Sequence, residues 1–550
     1  MKNCKRSPKR RLATAVLNAA GVCALMGHVS LLAAGQASSA SPTHSAVPCG
    51  ELTTLTFDGN TTITESSVVS SGTLVTPTAG TLTGLPVFCR VVGVSRPTSD
   101  SQINFEVWLP SNSWNGRFVS SGEGGYAGRL NYTREGLDGG LDEWIRRGYA
   151  TASTDTGHLS TDEHWAIGHP ERLIDYAHRS KHLVTVAAKG LIAAHYGRAP
   201  SYSYYNSCSN GGRQALMEVQ RYRDDFDGVV VGAPWNYQSH SNAGFVWDAQ
   251  TVSAPGAAIP ASTLPVIQAA AIAACDAKDG LADHLIEDPS TCSFDPAVLK
   301  CAGADSDACL TDAQIVSVKK LYRGPHNPRT NASIFPGWAM GGETGWARGA
   351  ASDDVTNLGR AYFSNLVFED PDWDYRTFDF DKDMTFAESK VGSLGDAVDP
   401  DLSEAKTQGV KIIQYHGWND QTLQPGYSPG YYESVMDKMG GLADTQDFYR
   451  LFMVPGMAHC YRGPGASSFG GVGQQIPPTR DARHDLQTAM EAWVENGVAP
   501  DELVATKFVN DDAGTRTVEF TRTLCPYPSV ARYDGSGDPS KAESFACTAP

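Results

Sequence analysis

Tyr202-Ser203-Tyr204-Tyr205-Asn206-Ser207-Cys208-Ser209-Asn210-Gly211-Gly212 passes from an aromatic, strand-forming run into a cluster of small residues. It continues as Arg213-Gln214-Ala215-Leu216-Met217-Glu218-Val219, which reads as a helix opening on glycine. A strand that turns directly into a helix needs small neighbours at the corner, because the backbone there is strained and crowded. The hydroxyl of Ser209 then stands beyond the strand end. It becomes a competent nucleophile only with a base in hydrogen-bond reach and a third group to fix the tautomer of that base. In the G-x-S-x-G form of this turn the first glycine is replaced here by Ser207, so the string alone also fits an ordinary loop serine.

The flanking sequence supplies the missing partners in a definite order. Lys411 to His416 reads as a strand followed by Gly417-Trp418-Asn419-Asp420, and Tyr449 to Val454 as another followed by Pro455-Gly456-Met457-Ala458-His459-Cys460. Serine, then acid, then histidine, each just past a strand end, is the order imposed by the α/β-hydrolase fold. Ser209 is thus the expected nucleophile, His459 the base and Asp420 the residue orienting it. The competing roles are a helix cap for Asp420 and a structural core position for His459. His416 reads as a residue packed at a strand terminus, outside the triad.

Upstream, Ile103 to Leu109, Arg117 to Ser120 and Tyr149 to Ser153 read as strands, with helical patterns at Leu141 to Arg147 and Ser180 to Ala194. Strand and helix in alternation predict a mostly parallel sheet. Gly122-Glu123-Gly124-Gly125 follows the Arg117 strand. A tetrahedral intermediate needs donors aimed at its oxyanion. The backbone N–H of Asn210 would supply one and that of Gly124 or Gly125 the other, although a glycine-rich tight turn reads the same way. Ser41 to Pro97 reads as irregular β structure ahead of the main domain, and Leu486 to Val494 as an amphipathic helix. From Pro234 to about Lys406 the βα pattern lapses while glycine, proline, tryptophan, acids and four cysteines accumulate. A structureless loop of that length is implausible, so it is expected to be an inserted lid domain. The organisation is therefore a signal peptide over 1–40, a first core part over 41–234, a lid over 235–406 and a second core part over 407–550.

The leader has six Lys or Arg and no acid, then an apolar run and small residues, the layout of a secretory signal rather than a membrane anchor. Its removal takes the formal charge from −17 to −23, a balance that argues against nucleic acid as a partner. No second apolar stretch suggests a membrane span. Ten of the twelve cysteines lie after the leader, an even number suited to disulfides in a secreted or periplasmic protein, with the pairing left open by the residues themselves.

The doublets Cys208-Ser209 and His459-Cys460, with Asp420 between them in sequence, resemble the tannase and feruloyl esterase family, which also includes mono(2-hydroxyethyl) terephthalate hydrolase. The resemblance runs from Cys49 to Cys547. It implies a disulfide between Cys208 and Cys460, and the pairs Cys49 with Cys89, Cys275 with Cys292, Cys301 with Cys309, and Cys525 with Cys547. Asp276-Ala277-Lys278-Asp279-Gly280-Leu281-Ala282-Asp283 gathers carboxylates about a glycine, which by itself fits a solvated acidic turn as well as an oxygen-rich calcium loop. The resemblance implies a structural calcium there, held by Asp276, Asp279 and Asp283 side chains and the carbonyls of Leu281 and Leu285, with no catalytic cofactor. It also implies a serine esterase acting on small aromatic esters, in some cases borne on plant polysaccharide or polyphenol. Galloyl, feruloyl and terephthaloyl esters divide the family, and no cationic clamp for a terephthalate half-ester stands out in the sequence. A non-catalytic polyphenol- or carbohydrate-binding protein on the same scaffold is the alternative from another class. Trp338, Trp346, Tyr362, Phe363, Phe368, Trp373, Tyr375, Phe378 and Phe380 are expected mostly in the lid core, some of them stacking on substrate.

Overall fold

The computed structural model describes residues 46–133, 139–348, 350–351, 356–511 and 515–549; the leader expected over 1–40 lies outside the described residues. Its strands are β1 (Thr56–Phe57), β2 (Thr61–Val69), β3 (Thr73–Thr76), β4 (Gly80–Thr83), β5 (Phe88–Ser95), β6 (Ile103–Pro110), β7 (Arg117–Ser120), β8 (Ala150–Thr154), β9 (Tyr202–Cys208), β10 (Gly228–Gly232), β11 (Lys411–Gly417), β12 (Tyr449–Val454), β13 (Leu503–Phe508), β14 (Val518–Leu524), β15 (Val530–Tyr533) and β16 (Phe545–Thr548). Ten of them form one sheet in the order β1-β2-β5-β6-β8-β7-β9-β10-β11-β12.

The sheet is parallel from β8 through β7, β9, β10 and β11 to β12, and antiparallel from β1 to the β6/β8 pair. The expected mostly parallel sheet therefore carries an antiparallel wing. The segment read as irregular structure ahead of the domain supplies part of it, because β2 pairs with β5 and β5 with β6. This α/β-hydrolase architecture covers both faces of its parallel half. In β10, Val229 and Val231 pack with Tyr205, Ile412 and Leu451 beneath the helices Ser180–Tyr196, Asn210–Arg221 and Tyr427–Met439. Val230 points the other way, with Tyr204, Ile413, Phe452 and the Met490 and Trp493 stripe of helix Leu486–Asn496. That alternation is the two-residue period of a strand buried on both sides.

Between Gly232 and Lys411 the chain leaves the sheet, and its described residues there form helices, turns and isolated bridges only. One core of this inserted segment, the expected lid, gathers Leu264, Ile267, Val318, Leu321, Trp338 and Trp346. Another joins Tyr362, Phe363, Phe378 and Phe380 to Trp165, Leu173 and Tyr176 of the main domain, so the lid is packed onto the segment that follows β8. All five disulfides implied by the resemblance are formed: Cys49–Cys89, Cys208–Cys460, Cys275–Cys292, Cys301–Cys309 and Cys525–Cys547. No helix among the described residues is long and apolar enough to cross a membrane.

Within the wing, Gly93 of β5 pairs with Phe105 of β6, and a Cβ at position 93 would overlap the Phe105 ring. Glycine in a strand interior here marks a close approach by an aromatic side chain. Gly93→Ala is expected to lower unfolding free energy by about 1–3 kcal/mol through overpacking, read as a lower denaturant midpoint at unchanged slope.

Candidate active site

Ser209, Asp420, His459 and the glycine loop follow β9, β11, β12 and β7 respectively. These strands run parallel, so their carboxyl ends open on one edge of the sheet, where the four segments meet. Ser209 adopts φ 62° and ψ −128°, a left-handed conformation unusual for a residue with a side chain. Its N–H donates to Gly232 O at 2.9 Å, and its carbonyl accepts from Trp235 N at 2.9 Å and Arg213 N at 3.1 Å. A Cβ at Gly212 would lie 2.5 Å from Gly232 O, and one at Gly211 would overlap the Ser207 side chain. Helix Asn210–Arg221 can leave the strand this sharply only because both residues are glycine. Ser207 replaces the usual first glycine without obstruction, because its small side chain is buried against Gly211.

The three side chains converge. His459 Nε2 lies 3.0 Å from Ser209 Oγ, and His459 Nδ1 lies 2.6 Å from Asp420 Oδ2. Asp420 Oδ1 accepts the N–H groups of Thr422 at 2.7 Å and Leu423 at 2.8 Å, so the carboxylate is held at both oxygens. Burial alone would raise its pKa, but the charge and hydrogen bonds of His459 and His416 outweigh that and hold it well below the usual carboxylate range. His416, read from sequence as a packing residue, donates onto the same Oδ2 at 3.0 Å. A sequence signal for it existed in the four-residue spacing between His416 and Asp420 at a strand end. The His459 N–H donates to Gln421 Oε1 at 3.1 Å, and Cys460, at φ 65°, is bonded to Cys208.

The glycine loop docks on helix Asn210–Arg221. Glu123 O accepts from Asn210 Nδ2 at 3.1 Å, and Glu123 N donates to Gln214 Oε1 at 3.2 Å. The buried Lys181 ammonium binds Glu123 Oε1 at 2.6 Å and Ser121 O at 2.5 Å, a framework that sequence reading did not find. The Asn210 N–H is in the first turn of its helix, where no earlier helical carbonyl can reach it.

Gly124 and Gly125 line a cavity of about 850 Å³, walled further by Tyr126, Arg129, His158, Trp165, Arg360 and Asn365. Its aromatic walls are Tyr126 and Trp165 of the main domain. Of the lid aromatics expected from sequence, Trp338, Trp346, Tyr362, Phe363, Phe378 and Phe380 are buried in lid cores. His158 stacks on Trp165 with ring centroids 3.9 Å apart, and burial pushes its imidazole down to about 4. It is therefore neutral, its Nε2–H donating to Tyr126 O at 2.7 Å.

In the acidic loop of the lid, Asp276 accepts from the N–H groups of Asp283 and His284, Asp279 from Leu281 N, and Asp283 from Leu285 N and Arg522. A small cavity beside it is lined by Asp279, Leu281, Asp283, Leu285 and Glu287. Among the described residues no three His, Cys, Asp or Glu side chains converge as a metal-binding group. Carbonyls such as those of Leu281 and Leu285 would have to complete any donor set.

The family model described as tannase and feruloyl esterase matches residues 89–548. An uncharacterised esterase of Xanthomonas campestris pv. campestris is 41% identical over 531 residues, covering 91% of this chain and 91% of the relative. Mono(2-hydroxyethyl) terephthalate hydrolase of Piscinibacter sakaiensis is 32% identical, covering 86% and 87%. The crystal structure of feruloyl esterase B from Aspergillus oryzae superposes with a TM-score of 0.83 at 28% identity, over 90% of this chain and 98% of that one.

A carboxylate held below its unfolded pKa of about 4 stabilises the fold above that value and loses this contribution as acid protonates it. Between about pH 5 and pH 2, the Asp420→Asn variant is therefore expected to lose less stability than the unmodified protein, measured as urea midpoints across that range.

Proposed function

Since the chain belongs to the tannase and feruloyl esterase family, whose members are carboxylic ester hydrolases, we propose that it is a secreted serine esterase that hydrolyses esters of phenolic aromatic acids through an acyl-enzyme on Ser209. The observation that carries this reading is the unbroken relay from Ser209 Oγ to His459 Nε2 at 3.0 Å and from His459 Nδ1 to Asp420 at 2.6 Å. Ser209 Oγ attacks the ester carbonyl while its proton passes to His459 Nε2. The resulting imidazolium is stabilised by ionised Asp420. The oxyanion takes hydrogen bonds from the N–H of Asn210 and from that of Gly124 or Gly125. Collapse expels the alcohol, which takes the proton from His459, and water activated by the same imidazole then releases the acid. Tyr126 and Trp165 give the cavity aromatic surfaces for an aromatic acyl group. Formation of five disulfides supports an oxidising destination.

A second substrate reading, a terephthalate half-ester, gains support from Arg129 and Arg360 in the cavity wall, since a free carboxylate needs a cationic partner. A panel of methyl gallate, methyl ferulate, chlorogenate and the terephthalate half-ester, ranked by kcat/KM, separates the two. Ser209→Ala is expected to lower kcat roughly a millionfold on whichever ester is turned over, and to abolish labelling by a fluorophosphonate probe. Retained turnover or labelling in that variant would reject the assignment, whereas absence of labelling in the unmodified protein would favour a binding role.

The acidic loop is proposed as a calcium site with a structural role, its donors the side chains of Asp276, Asp279 and Asp283 and the carbonyls of Leu281 and Leu285. Two of those carboxylates and both carbonyl residues border one small cavity, which supports the fit. Calcium there would stabilise the lid against unfolding. Chelation followed by dialysis is expected to lower Tm, with calcium but not magnesium restoring it; metal analysis finding no calcium, together with an unmoved Tm, would remove the site.

A further inference from the structure

His416 ends β11 four residues before Asp420, and its side chain has no solvent exposure. Its Nε2 lies 3.0 Å from Asp420 Oδ2, the same oxygen that accepts the Nδ1–H of His459 at 2.6 Å. Its Nδ1 lies 2.7 Å from Ser428 Oγ, at the start of helix Tyr427–Met439. Ser428 Oγ also accepts from Gln414 Nε2 at 2.8 Å, and Gln414 Oε1 accepts the hydroxyl of Tyr449.

The chemistry of these groups assigns every proton along the chain. An ionised carboxylate only accepts, so both imidazoles facing Asp420 Oδ2 must donate to it. His416 is then protonated at Nε2, and a neutral ring leaves a lone pair at Nδ1. The Ser428 hydroxyl donates its proton to that lone pair, and its oxygen accepts from the Gln414 amide. A doubly protonated His416 would instead face Ser428 with a second N–H, displacing the serine proton from its acceptor. Among the described residues the hydrogen-bond partners of His416 are Asp420 and Ser428; across the sheet it lies beside Met453, which does not titrate.

Building on the esterase reading, we propose that His416 is a positioning residue whose Nε2–H fixes the rotation of the Asp420 carboxylate and withdraws part of its negative charge. Asp420 in turn orients His459 and sets its basicity, so His416 acts on the reaction through two intervening groups. Without this donor the carboxylate would hold a larger share of charge against His459 and would be free to turn about its own axis.

The test compares His416→Leu, which removes the donor, with His416→Gln, whose amide can reach the same oxygen. With an ester from the panel, His416→Leu is expected to lower kcat on the order of tenfold at unchanged KM and to move the acid limb of kcat/KM to higher pH. His416→Gln is expected to return both toward the unmodified protein. A purely structural residue would change the folded fraction and leave the limb in place. Spectra of the unmodified, 15N-histidine-labelled protein are expected to show, besides His158, a histidine held as the Nε2–H tautomer whose signal is missing in His416→Gln. An unmoved limb in folded His416→Leu would overturn the proposal, as would a Nδ1–H tautomer at His416 in the resting protein. The tautomer is read without substrate, so it stays measurable even if Ser209→Ala were to sink the esterase reading.

Discussion

The left-handed backbone at Ser209 is the constraint to which the surrounding structure answers. Holding a residue with a side chain at φ 62° costs on the order of 1–3 kcal/mol and persists only when neighbours leave no alternative. Here the N–H and the carbonyl of Ser209 are both engaged, by Gly232, Trp235 and Arg213. Glycine at 211 and 212 removes the atoms that would collide at the corner. Cys208, immediately before the serine, is bonded to Cys460, immediately after the histidine, so the strained turn and the His459 loop are tied together directly.

Around this corner the buried charges are placed to hold backbone in position. Lys181 and Glu123 form an ion pair with almost no solvent access, and each also binds the loop after β7 or its neighbour Gln214. Arg213 is fully buried, its guanidinium donating to the carbonyls of Ala177, Gly395 and Tyr176 and to Asn210 Oδ1. Removing one member of the Lys181–Glu123 pair would strand an uncompensated charge, a cost of several kcal/mol. The charges therefore act as fixed pins whose other ends are main-chain atoms of the site.

The strands that carry the site were legible because their alternation is two-sided and strong, and because chain order limits which acid and which histidine can meet Ser209. The antiparallel wing was less legible. Most of β2 is exposed and rich in Thr and Ser, a composition that reads equally as loop. The cavity was not legible at all, since it joins Gly124 to Trp165 with Arg360 to Pro371, segments separated by some two hundred residues whose packing no local pattern encodes. The contact of His416 with Asp420 was hidden for a related reason. A buried histidine at a strand end looks the same in sequence whether its ring faces aliphatic neighbours or a carboxylate.

The lid leaves and re-enters the sheet between two strands, β10 and β11, that lie side by side. The entropy of closing such an excursion grows only with the logarithm of its length, so doubling the inserted segment would cost about 0.6 kcal/mol. Insertions and deletions in this one span can thus remodel the outer wall of the cavity while the sheet hardly registers them. The architecture separates the part of the molecule that can drift in evolution from the part that must keep its geometry.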